Sequence, residues 1–231
     1  MKLLMKIILK VFLKMKINQI FNNFLNNIKS LFIITILSTV ISDFAFANEK
    51  KIEEAKIHVL TFWELVDEKT NNFNLSDEEK KAAITKVIDE FFDVKGIIRF
   101  SAGRYWKTAT SEEKEIYSNL LKKIFYDAAI ENFHRLGKIK FIYKNTELKG
   151  KKIILVNGII KDQANEIPDT KIALRLSSVP NKPTKIFDVE IENISMLITQ
   201  QQENTSIIRQ NGGKFSALID ALKIKFDKKN K

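Results

Sequence analysis

The 231-residue chain contains no cysteine, which excludes disulfides, thiolate metal sites, iron–sulfur clusters, Cys nucleophiles and Cys-linked lipid anchors. Its two histidines, His58 and His134, lie far apart and form no local metal-ligating motif. Three prolines and seven glycines exclude collagen-like and Pro/Gly-rich disordered chains. Arginine is scarce too. Arg99, Arg104, Arg135, Arg175 and Arg209 are five of 39 basic residues, which leaves 34 lysines. Arg is the residue suited to planar, bidentate phosphate contacts. A Lys-rich chain poor in Arg, with acids interspersed, does not read as a nucleic-acid binder. Enzyme signatures are also missing: there is no GxSxG, P-loop, GxGxxG or HExxH.

What is present begins with an address. Residues 1–29 hold six lysines and no acid, and the run 31–42 is uncharged and mostly apolar. Ala45-Phe46-Ala47 then supplies small residues at the cleavage spacing. Together these predict a secretory signal peptide over 1–47, cleaved after Ala47. Met15 offers an alternative start with an ordinary leader. The six Lys and one Asp of this segment account for five of the eleven net positive charges. The remainder, 48–231, is predicted to be a single periplasmic domain with no apolar run approaching the ~20 residues of a membrane span.

That domain changes period once. Residues 50–136 carry apolar positions at helical spacing, and 138–194 alternate with period two. A first helix is expected from Glu49 to Lys69, broken at Asn71-Asn72. Ser76-x-x-Glu79 and Thr110-x-x-Glu113 are capping boxes that open two further helices. Between them Asp93 is expected to cap a short helix, Val94–Ala102, ended at Gly103. Gly137 is well placed to end the longest helix in a left-handed conformation. Strands are predicted over 138–144, 151–161, 170–178 and 185–193, with Gly158 as a bulge or point of close approach. The Lys cluster 149–152 reads as a turn. Helices return over 196–211 and 215–226, joined at Gly212-Gly213. The expected fold is α+β, with helices packed on one face of a small, twisted, antiparallel sheet of about four strands.

Candidate chemistry is sparse. Both histidines are assigned surface or capping roles. Asp188 falls by strand parity on the wet face, where it would pair with a Lys or cap a loop. Aromatics are plentiful, with 17 Phe, four Tyr and two Trp. Such residues serve a filled core or one that opens into an apolar cavity, and composition does not separate the two.

Two ordered motif sets do carry a resemblance. Phe92-Asp93-Val94 leads to Ser101-Ala102-Gly103-Arg104-Tyr105-Trp106-Lys107-Thr108-Ala109-Thr110, and Phe187-Asp188-Val189 leads to Ile194-Ser195-Met196-Leu197, Ile207-Ile208-Arg209 and Gly212. Over residues 50–224 this resembles the MlaC / toluene-tolerance family of periplasmic phospholipid carriers. Asn193 stands where that family usually has Gly, Thr184 where a Trp is common, and Phe187 for a frequent Tyr. The resemblance implies a non-enzymatic carrier with no cofactor, acyl tails held in a deep pocket as cargo and the headgroup left outside. Expected partners are phospholipid, an outer-membrane lipoprotein complex and an inner-membrane ABC transporter with MCE-domain subunits, served by a monomer that maintains outer-membrane lipid asymmetry. A hopanoid or other amphiphile carrier, and an envelope chaperone for unfolded polypeptide, are the alternatives. The pocket is expected between helical residues Phe91, Val94, Ile97, Ile98, Tyr105 and Phe125 and an inward sheet face of Ile139, Phe141, Leu155, Leu174, Leu176, Phe187 and Val189.

Overall fold

The change of period along the sequence becomes a division of labour in a computed structural model that describes residues 49–70, 76–150, 152–163, 168–177 and 183–229. The leader, the Asn71-Asn72 break, part of the 149–152 turn and the side chains of Phe133 and His134 lie outside the described residues. Four helices come first: α1 (49–70), α2 (Asp77–Phe91), α3 (Val94–Ser101) and α4 (Ser111–Leu136). A 3-10 turn, Gly103–Lys107, joins α3 to α4. The strands β1 (Ile139–Lys149), β2 (Ile153–Asp162), β3 (Thr170–Ser177), β4 (Ile186–Ile191) and β5 (Ile194–Ser195) follow, then α5 (Met196–Gln210) and α6 (Phe215–Lys229).

The helix starts are made by the residues that the spacing marks. Ser76 and Glu79 form a reciprocal box at α2, and Thr110 and Glu113 bond each other's backbone amides at 3.1 and 2.9 Å before α4. Asp93 Oδ1 accepts from the Gly96 amide at 2.9 Å and caps α3. A side chain at Gly96 would run into that carboxylate. Gly137 differs from expectation, since it is not among the left-handed residues. Its missing side chain instead makes room for Thr70 at the end of α1, where a Cβ would come within 2.3 Å of the hydroxyl.

The sheet is an antiparallel meander in the order β1-β2-β3-β4-β5. Beyond the four expected strands, β5 adds two residues by a tight hairpin. Glu192 and Asn193 both take left-handed φ values, 48° and 65°, as a two-residue primed turn requires. Asn at the second position tolerates this conformation better than other non-glycine residues. The register puts Leu148, Ile154, Leu176 and Ile186 in one row and Thr146, Val156, Leu174 and Val189 in the next row on the same face. Ile154, Val156, Leu174, Leu176 and Ile186 are buried in one cluster with residues of the helices, including Val59, Val66, Ile84, Phe91, Ile98, Tyr117 and Leu218. At the far side of β4 the chain is tied to the α2–α3 junction. Phe92 bridges Ile186 in parallel fashion, and the Asp93 amide donates to the Ile186 carbonyl at 2.9 Å.

Aromatic packing fixes the outer helix. Trp63 of α1 stacks on Phe141 of β1 with ring centroids 5.4 Å apart. The Phe141 ring lies over Gly158, where a Cβ would come within 2.2 Å of it. The β1 register shifts beside this point, between Tyr143 and Asn145. Gly158 is thus a place of close approach, with the bulge on the opposite strand. His58 of α1 donates from Nε2 to the carbonyl of Phe91, the last residue of α2, at 3.1 Å, and its ring packs on the Phe91 ring. It is a half-buried cap.

Two outcomes follow. Gly158→Ala should lower the stability by about 1–3 kcal/mol in urea denaturation through overpacking against Phe141; an unchanged midpoint would show that the ring is not pinned there. Burial holds the His58 imidazole below its ordinary value of 6.5, against the opposing pull of the Phe91 carbonyl. The unfolded chain then binds the proton more readily, so this part of the stability is full above about pH 6.5 and is lost as pH falls from there through the lower value of the folded state. His58→Gln, which keeps a donor but does not titrate, should show a shallower fall in melting temperature on acidification, and parallel curves would refute the assignment.

Candidate functional site

The largely apolar cavity of the domain lies where β4 meets α3, α4 and the start of α5. Its volume is about 290 Å³. Helix α3 offers Val94, Ile97 and Ile98, α4 offers Leu121, Ile124 and Phe125, and the other side is Phe187, Val189, Met196 and Leu197. These residues converge because α3 and α4 turn their apolar stripes toward the edge of the sheet. The polar groups at the walls are Ser101, Asp188 and Gln200.

Each of those polar groups is engaged. Asp188 is buried and its two oxygens collect four donors. Oδ2 takes Arg175 at 2.7 Å and Ser195 Oγ at 2.5 Å; Oδ1 takes the amides of Val189 at 2.8 Å and Leu197 at 2.9 Å. Ser195 is the N-cap of α5 and accepts from the Ile198 amide at 3.0 Å. Asp188 therefore fixes both the end of the sheet and the entry of α5. The position lies on the sheet face expected from alternation and caps the segment leading into α5, as one of the two expected roles has it, but it is buried rather than wet and its cationic partner is Arg175 rather than a Lys. The physical reason is that the β4–β5 hairpin and the start of α5 fold over this position and bring Ser195 and the Leu197 amide onto the carboxylate. The register shift between Arg175 and Leu176 lies just beyond the Arg175–Asp188 pair, leaves Phe187 without a partner in β3 and returns Ile186 to the core face beside Val189. The Phe187 ring lies against the Arg175 guanidinium, 5.3 Å from its carbon.

A second polar knot seals the cavity from the side of α4. Tyr117, Ser101 and Asn204 are all buried. Ser101 Oγ donates to the Ile98 carbonyl, and the Tyr117 hydroxyl lies 2.8 Å from Ser101 Oγ. Asn204 Nδ2 donates to Tyr117 and to the Ser101 carbonyl, while Gln200 donates to Asn204 Oδ1 at 2.9 Å. Burial pushes the Tyr117 phenol up to about 12, so it stays protonated and neutral. Sequence reasoning passed over Asn204. The available signal was its spacing from Leu197 and Ile208, which puts an amide in the apolar stripe of α5.

Of the thirteen residues expected at a pocket, Val94, Ile97, Ile98, Phe125, Phe187 and Val189 line this cavity. Phe91, Leu174 and Leu176 are core, each buried to 2% exposure or less. Ile139 and Phe141 pack against the core from β1, and Tyr105 does so from the 3-10 turn. Leu155 is buried, but pairs with Arg175 on the face opposite Leu174. The apolar run 153–156 does not alternate, so parity alone does not orient it. A groove on that opposite face has mixed charge, with Lys144, Glu147 and Glu190 beside Asn157, Ile159 and Ala173. Among the described residues no group of three or more His, Asp and Glu could hold a metal ion.

Fold and cavity together define a small α+β domain with a half-open apolar site at the edge of an antiparallel meander. The family model "MlaC protein" matches residues 63–224, and the chain belongs to the MlaC family. No protein of curated function matches the sequence. Among solved structures the fold is similar to a phospholipid-binding protein from Ralstonia solanacearum in complex with a phospholipid. That likeness has a TM-score of 0.63 and 17% identity, covering 77% of this chain and 99% of the other. Among the described residues no helix is long and apolar enough to cross a membrane.

Asp188→Ala should destabilise the domain by about 3 kcal/mol, because it strands Arg175 and frees the start of α5. Equilibrium denaturation gives the value, and a loss under 1 kcal/mol would mean that Glu190 takes over the guanidinium.

Proposed function

We propose that this protein is a lipid carrier that holds the acyl chains of a phospholipid in the cavity between α3, α4 and β4. The observation that carries the reading is the composition of those walls. They are apolar side chains, built by the two motif segments around Phe92-Asp93-Val94 and Phe187-Asp188-Val189. Membership of the MlaC family and the fold shared with a phospholipid-binding protein support it. In this reading the leader 1–47 sends the chain to the periplasm. There it passes lipid between an outer-membrane lipoprotein complex and an inner-membrane ABC transporter with MCE-domain subunits, and so maintains outer-membrane asymmetry. The protein carries rather than catalyses. The carboxylate at the cavity has its lone pairs occupied by four donors, which leaves it poorly placed as a base.

The energetics favour a docked handover. Burying a methylene is worth ~0.8 kcal/mol, so about 30 tail methylenes represent roughly 24 kcal/mol of transfer cost. No such molecule escapes into water at a useful rate, and the cavity mouth must meet an acceptor. The cavity volume, about 290 Å³, sits at the small end of ligand pockets, which run from about 300 to 1,000 Å³. Loading a two-tailed lipid therefore widens the gap between the helices and β4.

Lipid extraction and mass spectrometry of the gently purified protein should recover a phospholipid. Recovery of no amphiphile, together with no uptake from liposomes, would sink the reading. Release of bound unfolded outer-membrane polypeptide instead would favour the chaperone alternative. Ile97→Arg puts a charge on the half-buried wall and should cut lipid loading by roughly tenfold or more with the helical circular dichroism unchanged. Unaltered loading would remove α3 from the site.

A further inference from the structure

Next to the apolar cavity lies a second recess of about 520 Å³, bordered by Phe100, Ile153, Lys152 and Lys185. The two spaces adjoin, since Phe187 and Leu197 line both. Across these two side chains the chemistry changes. On one side the walls are carbon; on the other, Phe100, Ile153 and Pro183 continue the apolar lining and Lys152, Lys185 and Asp93 add charge. Lys185 is anchored there by a bond from Nζ to the Asp89 carbonyl at 2.7 Å. An ammonium has three donors, so two remain for a ligand. Lys152 is exposed and follows the β1–β2 turn. Among the described residues one acid borders the recess, Asp93, whose Oδ1 caps α3 through the Gly96 amide; against its single negative charge the two lysines leave a net charge of +1.

An apolar cavity that adjoins, across two shared side chains, a recess of net positive charge matches an amphiphile with an anionic group at the root of its tails. The geometry points to this recess as the subsite for the phosphate ester of the bound lipid, with Lys152 and Lys185 as its cationic contacts. The inference rests on the carrier reading and names what that reading leaves open, which of the 34 lysines meet the headgroup. Lysine is a compact point charge without the planar fork of arginine. The recess therefore reads the phosphate that all phospholipids share and discriminates weakly among the alcohols esterified to it.

Phosphatidylcholine vesicles carrying a trace of fluorescent-tailed phosphatidylglycerol, or of the diacylglycerol with the same tails, test this. The wild-type protein should take up phosphatidylglycerol in preference to diacylglycerol. Lys152→Glu with Lys185→Glu should lower phosphatidylglycerol uptake about tenfold and leave diacylglycerol uptake within about twofold. Arg at both positions should restore it. Lys152→Glu alone, at an exposed position next to a turn, guards against misfolding and should show the same selective loss in smaller measure. Unchanged phosphatidylglycerol uptake in the double variant, or equal loss of both lipids in Lys152→Glu, overturns the subsite while the carrier reading stands. A wild-type protein that takes up neither lipid overturns the carrier reading and the subsite with it.

Discussion

The Asp188 carboxylate is the interaction on which the functional end of the molecule depends. Burying a charge in such a place costs several kcal/mol unless its lone pairs are filled. Here they are filled from three directions: a guanidinium from β3, a hydroxyl from the hairpin and two backbone amides, one of them in α5. Those donors belong to segments that must be held together for an apolar cavity to exist beside β4. The carboxylate thus converts a local charge into a geometric constraint. It sets where α5 begins, and α5 supplies the cavity wall with Leu197 and Met196.

The knot of Ser101, Tyr117 and Asn204 complements it. It joins α3, α4 and α5 at the other side of the cavity with buried polar groups that satisfy one another. Apolar packing alone is tolerant of sliding, whereas a hydrogen-bond network admits few arrangements. Together the two polar clusters let the carbon walls between them stay under-filled. A core held only by dispersion would tend to close such a gap.

Much of this was legible in the sequence because local chemistry decides it. Caps are read from Ser76, Asp93 and Thr110, since their side chains bond amides within three residues. Strand alternation at Ile172, Leu174 and Leu176 gave the core face directly. What was not legible depends on pairing between segments. Alternation put Asp188 on the face opposite Leu174, but its burial comes from Ser195 and the Leu197 amide, which the hairpin and α5 bring over it, and the shift of register beside Phe187 is a property of β3 and β4 together. Leu155 was misplaced because its neighbours are all apolar. Asn204 resembles an ordinary surface amide until Tyr117 is brought beside it. The cavity itself is the clearest case, since Val94 and Leu174 look alike in sequence, and only the stacking of elements leaves one at a void and the other in the core.

The two margins of the sheet bear on the behaviour of the chain before any ligand is met. An open strand edge is a template for pairing with another chain. On one margin the β4 backbone is already occupied by the bridge from Phe92, the Asp93 amide and the two residues of β5. On the other, β1 carries the exposed lysines Lys140, Lys144 and Lys149 and an interrupted register. Both margins of a sheet rich in isoleucine are thereby covered or interrupted, which removes the flat, regular edge that pairing between sheets requires.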